Sequence, residues 1–123
     1  MFEISIKSHF CGAHCLKGYK GPCANLHGHN WEVEIFLRGI KTGRAGMLVD
    51  FKDLKKALDT VLVKLDHQDL NALRAFNKKN PTAENIAKYI FDQLFPRFNS
   101  PACRLNKVRI SETPGTSAYY SQR

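Results

Sequence analysis

The chain has 123 residues, 43% hydrophobic and 24% charged, with a formal net charge of +8. That length suits a single domain, residues 1–123, with its own core; no stretch has the apolar length of a membrane span, and "MFEISIKSHF" carries charge inside its first apolar run, unlike a secretory leader. The expectation is therefore a cytoplasmic protein whose Cys11, Cys15, Cys23 and Cys103 stay reduced, and whose scattered lysines and arginines lack the run that marks a nucleic-acid arm; a polyphosphorylated small molecule would suit the positive charge equally well.

In chain order, "FEISIK" (2–7) alternates Phe2, Ile4 and Ile6 with Glu3, Ser5 and Lys7, the pattern of a half-buried strand. Residues 8–26 contain Gly12, Gly18, Gly21 and Pro22 and read as an irregular excursion. A second strand is expected over 29–38, with Trp31, Val33, Ile35 and Leu37 on one face. Asp50 then caps a helix whose apolar positions are Phe51, Leu54, Leu58, Val61 and Leu65. "NKKNPT" breaks the chain, and Thr82 caps a second helix with Ile86, Ile90 and Leu94 on one stripe and Pro96 as its stop. A third strand follows over 105–112, and "PGT" turns it into a fourth, "SAYYS". The order ββααββ predicts an α+β protein, a four-stranded antiparallel sheet with both helices on one face.

Chemistry concentrates in "CANLHGHNW" (23–31). Strand side chains alternate, so His27 and His29 share a face with Trp31, about 7 Å apart at Cα, and Gly28 between them reads as room for close approach. His14 is a candidate third imidazole, and three histidines with an open position make a catalytic type of zinc site. Cys23 as a fourth ligand would close that site and make it structural; Cys11 and Cys15, flanking His14, also compete for a soft metal, and His9 reads as a structural or surface residue. Asp66 and His67 fall where the first helix runs out, a place where a histidine often serves only as a favourable cation. Glu112 shares its strand side with Val108 and Ile110; either the strand end reaches water there, or a buried carboxylate accepts two N–H bonds from a ligand.

"FCGAH" (10–14), "CANLHGH" (23–29), "GMLVDF" (46–51), "LDHQDLN" (65–71), "NPTAENIA" (80–87) and "SET" (111–113) resemble, in order, the motifs of the 6-pyruvoyltetrahydropterin synthase family across almost the whole chain. The three residues between Cys23 and His27 are similar to the spacing in the family's bacterial 6-carboxy-5,6,7,8-tetrahydropterin synthase branch, of the queuosine pathway; the pyruvoyl-forming branch has a longer gap. The resemblance implies the tunnelling fold, assembled around a central β-barrel as a homohexamer (a dimer of trimers) with active sites at subunit interfaces. It implies Zn2+ held by His14, His27 and His29, with Cys23 as catalytic base and His67 with Asp66 as its activating pair, supplied by a neighbouring subunit. Glu112 would anchor a pterin ring, Thr82 and Glu84 would line its pocket, and Lys20 would meet the phosphates of 7,8-dihydroneopterin triphosphate. "FCGAH" departs from relatives in carrying Cys11 and Gly12 where alanine is common, which removes no expected group.

Two rival readings follow. The same fold can make 6-pyruvoyltetrahydropterin from the same substrate. A basic, zinc-stabilised nucleic-acid-binding module would instead use Cys23 as a fourth ligand; the resemblance implies no nucleic-acid and no membrane partner.

Overall fold

The computed structural model describes residues 1–122. Its spine is a pair of long antiparallel strands, β1 (Phe2–His14) and β2 (His27–Gly39), in unbroken register from Phe2 opposite Gly39 to His14 opposite His27. Alternation turns Phe10, Gly12 and His14 of β1 and Trp31, Val33, Ile35 and Leu37 of β2 toward the same buried face. Strand β1 thus runs through residues 8–14, where glycine content predicted an irregular segment. Residue-by-residue pairing with β2 outweighs the local preference, and Gly12 belongs there because a Cβ would stand 3.2 Å from the Phe10 ring and 3.4 Å from the Leu70 methyls.

Asp50 caps α1 (Phe51–Leu62) by accepting from the Lys52 amide, and Leu54, Ala57, Leu58, Val61 and Leu62 are buried. Two members of the expected stripe behave differently: Phe51 is exposed, while Leu65 is fully buried but lies beyond the helix. The chain next adds a strand that the sequence did not predict, β3 (Gln68–Asp69), parallel to β1 at Gly12 and Ala13. Thr82 caps α2 (Ala83–Leu94), accepting from the Asn85 amide, and Ile86, Ala87, Ile90, Phe91 and Leu94 are buried. Strand β4 (Arg104–Ser111) pairs antiparallel with β2, and β5 (Ala118–Tyr120) with β4.

The sheet order is β3-β1-β2-β4-β5, so the expected four-stranded antiparallel sheet is corrected to five strands with one parallel pair. A two-residue strand is too short for any hydrophobic period to announce it. Helix α1 packs on β1, and α2 on β4 and β5. Between helices and sheet, Trp31, Phe10, Phe91, Ile35, Leu58 and Ile90 are essentially without solvent contact, each large side chain contributing about 1.5–3 kcal/mol by burial. Among the described residues no helix is long and apolar enough to cross a membrane.

Candidate metal centre

The open end of the β1–β2 pair brings three imidazoles together. His14 closes β1, His27 opposes it across the ladder as the first residue of β2, and His29 lies two residues along on the same face. One ring nitrogen from each falls within 4.8 Å of the others. Ring centroids lie 4.5 Å apart for His14 and His27, 4.8 Å for His27 and His29, and 5.2 Å for His14 and His29. Trp31 floors the cluster, with its ring edge-to-face 4.9 Å from His14 and 5.1 Å from His29. Its indole N–H donates to the Gly12 carbonyl at 3.1 Å.

Hydrogen bonds set the ring tautomers. His14 Nδ1 lies 2.6 Å from the Pro81 carbonyl and His27 Nδ1 lies 2.7 Å from the Asn25 carbonyl. A carbonyl only accepts, so each Nδ1 carries the proton and donates it, leaving Nε2 with its lone pair. His14 Nε2 and His29 Nε2 are buried without a hydrogen-bond partner, a costly arrangement unless something binds them. Burial pushes the His29 pKa below its ordinary 6.5; Glu112, whose Oε2 lies 3.6 Å from Nε2, pulls against this, and His14 and His27 push it down further. Imidazoles clustered with their ring nitrogens facing one another, two of those nitrogens buried and unpartnered, fit a borderline cation such as zinc. Gly28 does not supply the close approach expected of it, because a Cβ there would meet nothing within 4 Å.

Cys23 sits in a single 3-10 turn, Pro22–Ala24, partly buried and with a free thiol; its carbonyl accepts from the Leu16 amide at 2.9 Å. The clustered donors are the three histidines, and no cysteine sulfur is among them. Cys11 turns the other way and donates to Asn30 Oδ1 at 3.0 Å, and His9 is exposed. Asp66 Oδ1 accepts from the Cys11 amide at 2.9 Å, and Oδ2 lies 3.1 Å from His67 Nδ1. The Cys11 N–H, followed by His67, holds the Asp66 carboxyl below the usual range. His67 itself is 80% exposed, in the left-handed region at φ +58°. No described hydrogen bond or ion pair joins His67 to Cys23 within one chain.

Glu112 stands one residue past β4, in a bend and partly exposed, so the strand end does reach water, yet it keeps the side its spacing from Ile110 predicted, with Oε2 beside His29 Nε2. It shares with Glu84 the lining of a cavity of about 510 Å³ that also includes Ala83, Ile110, Ser117 and Tyr119. Thr82 is absent from that lining, its hydroxyl accepting from the Asn85 amide as the α2 cap. Lys20 is exposed and in no described ion pair. Sequence reasoning passed over a cavity of about 280 Å³ lined by Lys17, Lys78 and Lys79 with no carboxylate; "NKKN" had signalled only a chain break.

A cluster of three histidines that could hold a metal, at the mouth of a helix-covered sheet, defines an α+β protein with a candidate metal site. The chain belongs to the 6-pyruvoyl tetrahydropterin synthase family, whose pattern matches residues 3–123. It is 31% identical over 144 aligned positions to the 6-carboxy-5,6,7,8-tetrahydropterin synthase of Haemophilus influenzae, covering 99% of this chain and 100% of that one. It is 41% identical over 98 residues to the 6-pyruvoyl tetrahydrobiopterin synthase of Drosophila melanogaster, spanning 76% of this chain and 58% of that protein. The solved 6-pyruvoyl tetrahydropterin synthase of Caenorhabditis elegans superposes with a TM-score of 0.88 at 32% identity, over 99% of this chain and 96% of that one.

Proposed function

We propose that the protein is a zinc-dependent carbon–carbon lyase that converts 7,8-dihydroneopterin triphosphate and one water to 6-carboxy-5,6,7,8-tetrahydropterin, acetaldehyde and triphosphate, a reaction of queuosine biosynthesis, in the cytoplasm. The observation that carries it is the three-histidine cluster beside Glu112, in which the buried Nε2 atoms of His14 and His29 have no hydrogen-bond partner. His14, His27 and His29 would hold the zinc, which when bound supplies Lewis acidity toward the hydroxyls of the substrate side chain.

The chain's own groups do the rest. A cysteine of pKa ~8.5 becomes a usable base beside an imidazolium, and Cys23, outside the cluster of donors, is free to take a carbon-bound proton. Asp66, held ionised by the Cys11 amide, lies 3.1 Å from His67 Nδ1 and orients that ring. His67 is exposed and unconnected to Cys23 in its own chain, which supports its service to a neighbouring subunit in a homohexamer built by edge-to-edge strand pairing. Glu112 accepts N–H bonds from the pterin ring, with Glu84 lining the same cavity and Thr82 holding the start of α2 beside it. Lys20 meets the triphosphate, joined by the lysines of the 280 Å³ cavity.

The carboxy-forming branch is favoured by the short gap from Cys23 to His27 and by the full-length similarity to the Haemophilus enzyme. Mass spectrometry of products from zinc-loaded protein and 7,8-dihydroneopterin triphosphate tests it. We expect 6-carboxytetrahydropterin with acetaldehyde. A pyruvoyl product would move the chain to the other branch, and unchanged substrate would overturn the reading.

A further inference from the structure

Beyond its ladder with β2, strand β1 is gripped along its outer edge by a succession of unlike partners. In an antiparallel pair, alternate residues turn their N–H and C=O toward the partner strand and away from it. On β1 the outward set near the metal centre is Cys11, Ala13 and then, past the strand's end, Cys15 and Lys17. At Cys11 the amide donates to Asp66 Oδ1 at 2.9 Å and the carbonyl accepts from the His67 amide at 2.6 Å. At Gly12 and Ala13 the partner is the backbone of β3.

From Cys15 onward no strand remains, and two asparagine side chains take its place. Asn71 Oδ1 accepts from the Cys15 amide at 2.8 Å, while its Nδ2 donates to the Cys15 carbonyl at 3.0 Å. Asn80 repeats the arrangement on Lys17, accepting at 2.9 Å and donating at 2.8 Å. Each side-chain amide thus presents one donor and one acceptor to a single residue, as a neighbouring strand would. Asn80 is itself held, its carbonyl accepting from Asn85 Nδ2 at 2.7 Å. The next carbonyl, that of Pro81, receives the His14 Nδ1 proton.

We propose that Asn71 and Asn80 are positioning residues that act as a surrogate strand, fixing the His14 imidazole and the Cys23-bearing loop. His14 lies between Ala13, paired to β3, and Cys15, clamped by Asn71. Leu16, between the two clamped residues, turns its amide inward to the Cys23 carbonyl at 2.9 Å. Releasing either clamp frees the backbone that sets the direction of the His14 ring and the place of Cys23. The inference deepens the zinc reading and rests on His14 being a metal ligand. Groups that orient a metal ligand commonly contribute 10- to 100-fold in affinity.

The test uses purified full-length chain: wild type, Asn71→Ala, Asn80→Ala and the isosteric Asn80→Asp, which keeps acceptance from Lys17 and loses donation to it. Zn2+ affinity is read by competition with a chromophoric chelator, the visible spectrum of the Co2+-loaded protein reports ligand geometry, and amide exchange in the metal-free protein reports the clamps. We expect Zn2+ affinity to fall ~10- to 100-fold in Asn71→Ala and less in Asn80→Ala, whose bonds are the more exposed. The Co2+ spectrum should shift, and the Cys15 or Lys17 amide should lose protection in the matching variant. Where an alanine variant does not fold, Asn80→Asp carries the same expectation in weaker form. Folded variants with wild-type Zn2+ affinity and an unchanged Co2+ spectrum would overturn the inference and leave the zinc reading standing. A wild-type chain that takes up no Zn2+ would overturn the zinc reading, and the inference with it.

Discussion

On the sheet face away from the helices, Arg109 meets Glu32 at 2.8 Å and Glu34 at 3.7 Å, and it also donates to the Ser117 hydroxyl, while Ser5 donates to Glu34. On the helix-covered face at the neighbouring end, His14 and His29 each keep a buried ring nitrogen with no partner. The first region spends its polar groups on one another: the Arg109 hydrogen bond holds Glu32 below the usual carboxylate range, and Glu32 raises Arg109 in return. The second withholds them. A satisfied network beside water adds little to stability, whereas unspent, partly desolvated donors are expensive to keep. Cost without an internal return is what marks the histidine end as the place where something binds.

The sharpest break of that comparison is His27→Ala or His14→Ala. Each should abolish zinc binding and turnover together, read by metal analysis and product mass spectrometry. Next comes Cys23→Ala, expected to keep its zinc and lose ~10²- to 10⁴-fold in turnover, the usual contribution of a general base. His67→Ala should behave alike with a smaller loss, and near-normal turnover in it would remove His67 from the relay. Glu112→Gln should retain zinc and raise KM ~10- to 100-fold, the worth of a hydrogen bond to a charged group.

The pH dependence of metal-free protein gives a smaller effect. The folded-state pKa of His29 lies below its ordinary 6.5, so its contribution to stability is complete above that value and is lost as pH falls through it toward the lowered one. The melting temperature should therefore drop on acidification below about pH 6.5, and His29→Gln should flatten that part of the curve. Asp66, depressed from 3.8, adds a loss of the same sign in a more acidic window. Smallest of all is Arg109→Ala, which should lower the melting temperature slightly and leave zinc content unchanged. If it stripped the metal, the two regions would be coupled.

Legibility in the sequence followed the range of the interaction. Asp50 and Thr82 were readable as caps because the amides they serve lie only two and three residues on. His27, His29 and Trp31 were placed on one face by a period of two. His14 needed more: its spacing said nothing of β1 continuing to meet His27, and the glycines around it pointed to a loop. Phe51 kept helical spacing yet turned outward, since a first-turn position need not face the sheet. Thr82 carried the pocket's motif but spends its hydroxyl on the cap, and the pocket lining begins one residue later at Ala83.

What the sequence determined by itself was therefore the local material: the strand and helix order, the caps, the three imidazoles, and the motifs that mark the family. These rest on contacts between near neighbours, which leave a period or a spacing to read. Only the tertiary structure decided the parallel strand β3 and the two asparagines that stand in for a strand beyond Ala13, while the cavity shared by Glu84 and Glu112 was implied by the family motifs and by no local period. Such partners lie tens of residues apart, 56 for Asn71 with Cys15 and 63 for Asn80 with Lys17. A bond across that separation forms only once the sheet and its edge exist, so no local pattern records it.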